Sequence, residues 1–136
     1  MQAAVLLLKL PHLDEWNAER RRVAAFYDEA LDGVGDLRLP PVAAGSEPVW
    51  YVYVVRTGSP EALGAFLAAR RIGTGRHYPT PPHLSPAYTF LGKPRGSFPV
   101  AEALAHEALS LPIYPGLREK QIEHVVESIR EFFGSG

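Results

Sequence analysis

One run of β-branched and aromatic side chains, residues 49–55, interrupts a chain whose other apolar residues recur mostly at helical spacing. The composition of this run is typical of a β-strand. Apolar steps of three and four residues predict amphipathic helices over residues 6–31, from Ser59 to Gly73, and over residues 118–133. A further helix is predicted at residues 100–109, and short extended segments are predicted at residues 74–78 and 111–114. We also expect the Ser59 hydroxyl to cap the helix that follows it.

The predicted elements alternate as α-β-α-β-α-β-α, and two of the strands are very short. This order favours an α+β fold in which helices pack on a small, mostly antiparallel sheet. A parallel βαβ pairing is the alternative. The 136 residues fit a single domain. Within it, we expect residues 1–33 to form a long N-terminal helix of the kind that links two domains, and residues 34–136 to form the α+β unit.

The N-terminal helix contains Pro11, which removes a helical hydrogen bond and clashes with the preceding turn. The sequence therefore predicts either one kinked helix or two helices that meet near Pro11, ending at Gly33 and Gly35. Residues 3–8 are all apolar, but no positive residue precedes them and the run is too short to span a bilayer. We expect a cytoplasmic protein with no membrane partner.

Charge and cysteine content exclude several classes of function. The 14 basic and 15 acidic residues give a net charge of −1, so nucleic acid is not an expected partner. The absence of cysteine excludes disulfides, thiolate zinc sites and thiol catalysis. No serine lies in a G-x-S-x-G turn, and the five histidines lack the spacing of a metal site. We therefore predict no catalytic residue and no metal site.

A ligand surface is predicted where Arg76, His77 and Tyr78 follow a glycine-rich turn. Arginine can hold a phosphate with two hydrogen bonds, and histidine and tyrosine can bond sugar hydroxyls. The turn follows a helix, whereas a phosphate cradle leads into one. None of the three lysines, at positions 9, 93 and 120, lies in an apolar strand-end pocket that would suit a Schiff base.

Several stretches in the same order along the chain resemble the DegT/DnrJ/EryC1/StrS aminotransferases. They are Gln2-Ala3-Ala4-Val5, Leu10-Pro11-His12-Leu13-Asp14-Glu15-Trp16-Asn17, Ile72-Gly73-Thr74-Gly75-Arg76-His77-Tyr78-Pro79, Pro82-His83-Leu84, Phe98-Pro99-Val100-Ala101-Glu102 and Leu109-Ser110-Leu111-Pro112-Ile113-Tyr114-Pro115. No single stretch is decisive, but together they cover nearly the whole chain. The resemblance implies the C-terminal small domain of a fold type I enzyme that uses pyridoxal phosphate to transaminate nucleotide-linked keto-sugars.

In that family the cofactor lysine, the aspartate that pairs with the pyridine nitrogen and the stacking aromatic lie upstream, in a large α/β domain. The resemblance therefore implies that this chain binds no pyridoxal phosphate alone and is inactive alone. The implied partners are a separate cofactor-binding large domain or further copies of this chain. The alternative is a stand-alone binding or oligomerisation module derived from the family.

The resemblance also implies substrate-binding residues. In the family the His-Tyr-Pro loop borders the substrate cleft, which here assigns His77 and Tyr78, with Arg76 and His83 beside them. A nucleotide-sugar is the implied ligand, bound at most weakly by this chain alone. Many relatives carry a histidine before the Leu-Tyr of the first strand, at the position that Tyr51 holds in this chain, so a substrate contact by that histidine is not expected here.

Overall fold

The computed structural model describes residues 2–134 and has the α+β architecture that the sequence predicts. Five α-helices and two strands follow one another along these residues. They are α1 (Gln2–Lys9), α2 (Leu13–Leu31), β1 (Tyr53–Arg56), α3 (Pro60–Ala69), α4 (Pro99–Glu107), β2 (Ala108–Leu111) and α5 (Glu119–Gly134), with 3-10 turns at Leu10–His12, Pro82–Leu84 and Pro86–Leu91. Among these residues no helix combines the length and the apolar character needed to cross a membrane.

The sheet is small and antiparallel, so the parallel alternative is wrong. Strand β1 pairs with β2 in a register that sets Tyr53 opposite Leu111 and Val55 opposite Leu109. These four side chains are buried and face the helices. Because side chains alternate across a strand, Val54 and its partner Ser110 lie on the opposite face.

The strand predicted at residues 49–55 begins four residues later than expected, at Tyr53. Trp50 adopts a left-handed backbone conformation (φ 50°), which breaks the extended chain, and its ring packs 5.3 Å from that of Tyr53. The carbonyl of Val49 accepts a hydrogen bond from the Arg20 side chain. Strand β2 has only four residues to pair with, so the first part of the run finds no strand partner.

The other two predicted strands also differ from the structure. Residues 74–78 contribute one isolated bridge, between Gly75 and Ser110, and no regular strand. The last strand lies at Ala108–Leu111 and not at residues 111–114, and α4 ends at Glu107 and not at residue 109. Buried side chains at Ala108 and Leu109 favour the strand, and Pro112 ends it because proline has no N–H to donate.

The N-terminal segment is intermediate between the two alternatives at Pro11. The chain stays in the helical region of backbone space from Lys9 to Leu13 and tightens into a 3-10 turn around the proline. The helix ends at Leu31, before Gly33 and Gly35, which both have positive φ. The expected cap at Ser59 is wrong, because its hydroxyl makes no capping hydrogen bond. The division into residues 1–33 and 34–136 stays a prediction.

The core lies between the sheet and the helices, where α5 packs against both α2 and α3. Two buried tyrosines anchor its polar edge: Tyr27 donates to the carbonyl of Pro112 (2.9 Å) and Tyr53 donates to the carboxylate of Asp28 (2.5 Å). Burial raises the pKa of both hydroxyls, since a buried phenolate is costly. Both tyrosines therefore stay protonated and act as hydrogen-bond donors that join α2 to the sheet region.

Candidate functional site

The loop that follows α3 presents His77 and Tyr78 to solvent. Both residues are exposed, and Tyr78 retains 75% of its accessible surface. Their rings meet edge to face, with centroids 5.6 Å apart. An imidazole and a phenol side by side at a surface offer both hydrogen bonding and stacking to a polar ligand.

The position of His77 is set by β2. Ser110 exchanges two backbone hydrogen bonds with Gly75 (3.1 and 2.8 Å), and its hydroxyl lies 2.8 Å from His77 Nδ1. The imidazole also packs on Gly75, where a Cβ atom would lie 2.8 Å from the ring carbon Cε1. A glycine is therefore required at residue 75 for the ring to lie where it does.

Arg76 points away from His77 and into the protein. Its guanidinium donates to the carboxylate of Glu61 at the start of α3, and to the carbonyls of Ala105 (2.6 Å) and His106 (3.0 Å). These carbonyls belong to the last turn of α4, where no later helical N–H group is available to bond them. The hydrogen bond from Arg76 lowers the pKa of the Glu61 carboxyl. Arg76 thus joins the loop to the ends of two helices.

His83 is buried, with 8% of its surface exposed. Its Nε2 lies 3.0 Å from the carboxylate of Glu102 on α4, and its ring packs edge-on against Phe98. Glu102 also accepts hydrogen bonds from the backbone N–H groups of Gly96 and Phe98. The bond from Gly96 contributes most to lowering the pKa of the Glu102 carboxyl, with smaller contributions from Phe98 and His83.

A cleft of about 280 Å³ lies beside Arg76 and Glu102. Arg76, Arg95 and His106 line it together with Glu61 and Glu102. His77 and Tyr78 lie outside this lining, so the structure does not bring the four predicted residues into one pocket. The predicted residues divide instead into an exposed pair, His77 and Tyr78, and two residues bonded to other parts of the protein, Arg76 and His83.

Sequence reasoning did not identify Ser110, Gly75 and Glu102 as parts of this loop's support. A glycine two residues before a histidine gives a weak signal of close approach. Glu102 lies three residues after the first residue of α4, a position from which a carboxylate reaches back to N–H groups before a helix. No local pattern marks Ser110, since its contact with His77 spans 33 residues.

The lysines of the chain do not fit a Schiff-base site for pyridoxal phosphate. Lys9, Lys93 and Lys120 are all exposed to solvent and are not buried in apolar surroundings. A Schiff-base lysine needs such surroundings to lose its proton near neutral pH. Within residues 2–134, no group of three or more His, Asp or Glu side chains is placed to hold a metal ion.

Residues 1–130 match the sequence profile of the DegT/DnrJ/EryC1/StrS aminotransferase family. The chain belongs to this family. The relatives it matches are sugar aminotransferases, and the match covers a C-terminal part of them. The family's aminotransferases depend on pyridoxal phosphate.

Two relatives show the extent of the match. A dTDP-3-amino-3,4,6-trideoxy-alpha-D-glucose transaminase of Streptomyces venezuelae is 46% identical over 97% of this chain and 35% of its own length. A dTDP-3-amino-3,6-dideoxy-alpha-D-galactopyranose transaminase of Aneurinibacillus thermoaerophilus is 39% identical over 97% of this chain and 36% of its own length. The chain therefore spans about a third of the length of these relatives.

Solved structures share the fold closely. Streptomyces venezuelae DesV, crystallised with a ketimine intermediate, superposes with a TM-score of 0.94 at 46% identity, over 97% of this chain and 36% of DesV. A DegT DnrJ EryC1 StrS aminotransferase from Brucella abortus superposes with a TM-score of 0.90 at 37% identity, over 98% of this chain and 35% of that protein.

Proposed function

We propose that this chain acts as the substrate-side small domain of a pyridoxal-phosphate-dependent aminotransferase that transaminates a nucleotide-linked keto-sugar. The observation that supports this most strongly is the 46% identity, across 97% of the chain, to a transaminase of a dTDP-linked amino sugar. On this proposal the chain contributes binding groups and no reacting group. The cofactor supplies the amino-group chemistry. It is held by the family's large domain, which lies outside the part of the relatives that this chain matches.

A chimera tests the proposal. This chain replaces the matched third of the Streptomyces venezuelae transaminase, and formation of the amino sugar is measured with the nucleotide-sugar substrate of that enzyme. We expect the chimera to fold, to bind cofactor and to transfer the amino group. A chimera that binds cofactor with an unaltered absorption spectrum but transfers no amino group would contradict the proposal.

Within this function, we propose that His77 and Tyr78 contact the nucleotide-sugar. Their exposure and their adjacent rings support this role. For Arg76 and His83, which the resemblance also assigns to substrate, the hydrogen bonds to Glu61, α4 and Glu102 support an indirect role. These two residues hold the loop so that its exposed pair faces the ligand.

The isolated chain allows a direct test of the exposed pair. Titration with dTDP-glucose, followed by amide NMR shifts, should perturb residues around His77 and Tyr78 with a millimolar dissociation constant, which corresponds to about 4 kcal/mol. The variant Tyr51→Phe is a matched control, since Tyr51 is also an exposed tyrosine, 88% accessible, outside the loop. Shifts confined to other segments would contradict the assignment.

The exposed lysines support the proposal that a separate large domain holds the cofactor. Mixing the isolated chain with pyridoxal phosphate should give no protein-specific aldimine absorption band. A band that disappears in Lys93→Ala would contradict this expectation, and Lys120→Ala serves as its control because that lysine is exposed on α5.

One observation also favours the second candidate, an oligomerisation module. Helix α1 has no buried residue, although much of it is apolar. Its exposed apolar side chains are 46% to 76% accessible: Val5, Leu6, Leu7 and Leu8. Consecutive apolar residues cover all sides of a helix, which is typical of a helix buried between other elements. We propose that α1 packs against the large domain in the whole enzyme, and against a second copy when this chain is alone.

A further inference from the structure

The buried hydroxyl of Ser110 is the group in the sheet that reaches the exposed loop. Ser110 retains 5% of its accessible surface, and its side chain lies on the sheet face away from the core. Across residues 2–134, its hydroxyl has one hydrogen-bond partner, His77 Nδ1 at 2.8 Å. Ser110 therefore holds both ends of the segment 75–77: its backbone bonds Gly75 and its hydroxyl contacts His77.

The direction of this hydrogen bond follows from the burial of the hydroxyl. A buried O–H hydrogen needs an acceptor, because an unsatisfied buried donor is costly. If the hydroxyl accepted a hydrogen bond from Nδ1–H, its own hydrogen would have no acceptor among the described residues. The hydroxyl therefore donates, Nδ1 accepts, and the ring proton of neutral His77 lies on Nε2.

We propose that Ser110 is a positioning residue that fixes His77 in the Nε2–H tautomer and so makes it a hydrogen-bond donor to the ligand. The second half of this statement rests on the proposed function. An Nε2–H group suits the acceptor oxygens of a phosphate or a sugar hydroxyl, and both occur in a nucleotide-sugar. Gly75 completes the arrangement, because a larger residue there would push the ring off the hydroxyl.

The tautomer can be measured on the isolated chain. Long-range ¹H–¹⁵N NMR at about pH 8, where an ordinary imidazole is neutral, distinguishes a protonated ring nitrogen from an unprotonated one. We expect a single Nε2–H tautomer for His77. Ser110→Ala should convert it to a mixture of tautomers, and Ser110→Thr, which retains a hydroxyl, should restore the single form.

Ser128→Ala is the matched control, since Ser128 is an equally buried serine (2% exposed) on α5. It should leave the His77 signals unchanged. An Nδ1–H tautomer in the unmodified chain would overturn the proposal, and so would a His77 spectrum that Ser110→Ala leaves unaltered. Because the tautomer of the unmodified chain is itself decisive, the proposal stays falsifiable even if Ser110→Ala does not fold.

The chimera tests the ligand half separately. Ser110→Ala in the chimera should raise KM about tenfold with little change in kcat, which is the scale of one lost hydrogen bond. A fall in kcat at unchanged KM would overturn the positioning role. An inactive parent chimera would contradict the proposed function and would leave the tautomer measurement as an independent result.

Discussion

Helix α1 gives a quantitative prediction about assembly. Leu6 on α1 and Leu10 in the 3-10 turn that follows it retain 64% and 63% of their accessible surface, and α1 contains no buried residue. Complete burial of a leucine side chain contributes about 1.5–3 kcal/mol. Each of these two leucines therefore has about 1–2 kcal/mol to gain from a partner, and the four in a dimer have about 4–8 kcal/mol together.

The perturbation is the double variant Leu6→Asp with Leu10→Asp. We expect the unmodified chain to sediment as a dimer or larger assembly at micromolar concentration. The variant should be monomeric, because a loss of about 4 kcal/mol or more raises the dissociation constant by roughly a thousandfold or more. Sedimentation velocity over a concentration series measures both states.

A matched control carries the same two charges on other exposed apolar residues. Phe90→Asp with Val100→Asp replaces side chains that are 77% and 74% exposed and lie outside α1. This control should assemble like the unmodified chain. Both double variants should keep the thermal midpoint of the monomer, since neither touches the core. A monomeric unmodified chain, or unchanged assembly of the α1 variant, would refute the reasoning.

Three further predictions concern stability. Glu107→Gln weakens the bridge that this carboxylate makes to two arginines at 2.6 and 2.7 Å, and urea unfolding should show a loss of about 1 kcal/mol. Gly35→Ala should destabilise the chain more than Gly33→Ala. Both glycines have positive φ, but of the two only Gly35 would bring a Cβ against the ring of Phe133. Equal losses of stability in thermal melts would contradict this prediction. Hydrogen bonds to Asp36 lower its pKa, so the stability that they provide is present above about pH 4 and is lost as the pH falls through the lower folded value. Asp36→Asn should therefore flatten the loss of stability in acid, and an unchanged acid limb in pH-dependent melts would contradict it.

The helices were predictable from sequence because their signal is local. Helix α5 extends over Glu119–Gly134, against a predicted 118–133, and its apolar stripe forms one side of the core. Strand boundaries depend on a distant partner. The run at residues 49–55 has strand composition throughout, but only the part opposite β2 pairs, and Trp50 turns the chain before it.

The candidate site shows the same limit at the level of side chains. Residue types grouped Arg76 with His77 and Tyr78, since each of these types can bind a polar ligand, and the family resemblance added His83. What separates them is exposure: Arg76 and His83 turn inward onto partners 29 and 19 residues later in the chain, whereas His77 and Tyr78 remain exposed. No local pattern encodes contacts of that range.

These long-range contacts have a consequence for how the loop can work. The segment from Gly75 to His83 is held at its start by Ser110 on β2, next by the bonds of Arg76 to α3 and α4, and at its end by Glu102. Between these anchors, His77 and Tyr78 are the aromatic side chains that remain at the surface. A loop held in this way loses little backbone entropy when a ligand binds, so the few contacts of this pair yield more net affinity than the same side chains on a free loop would.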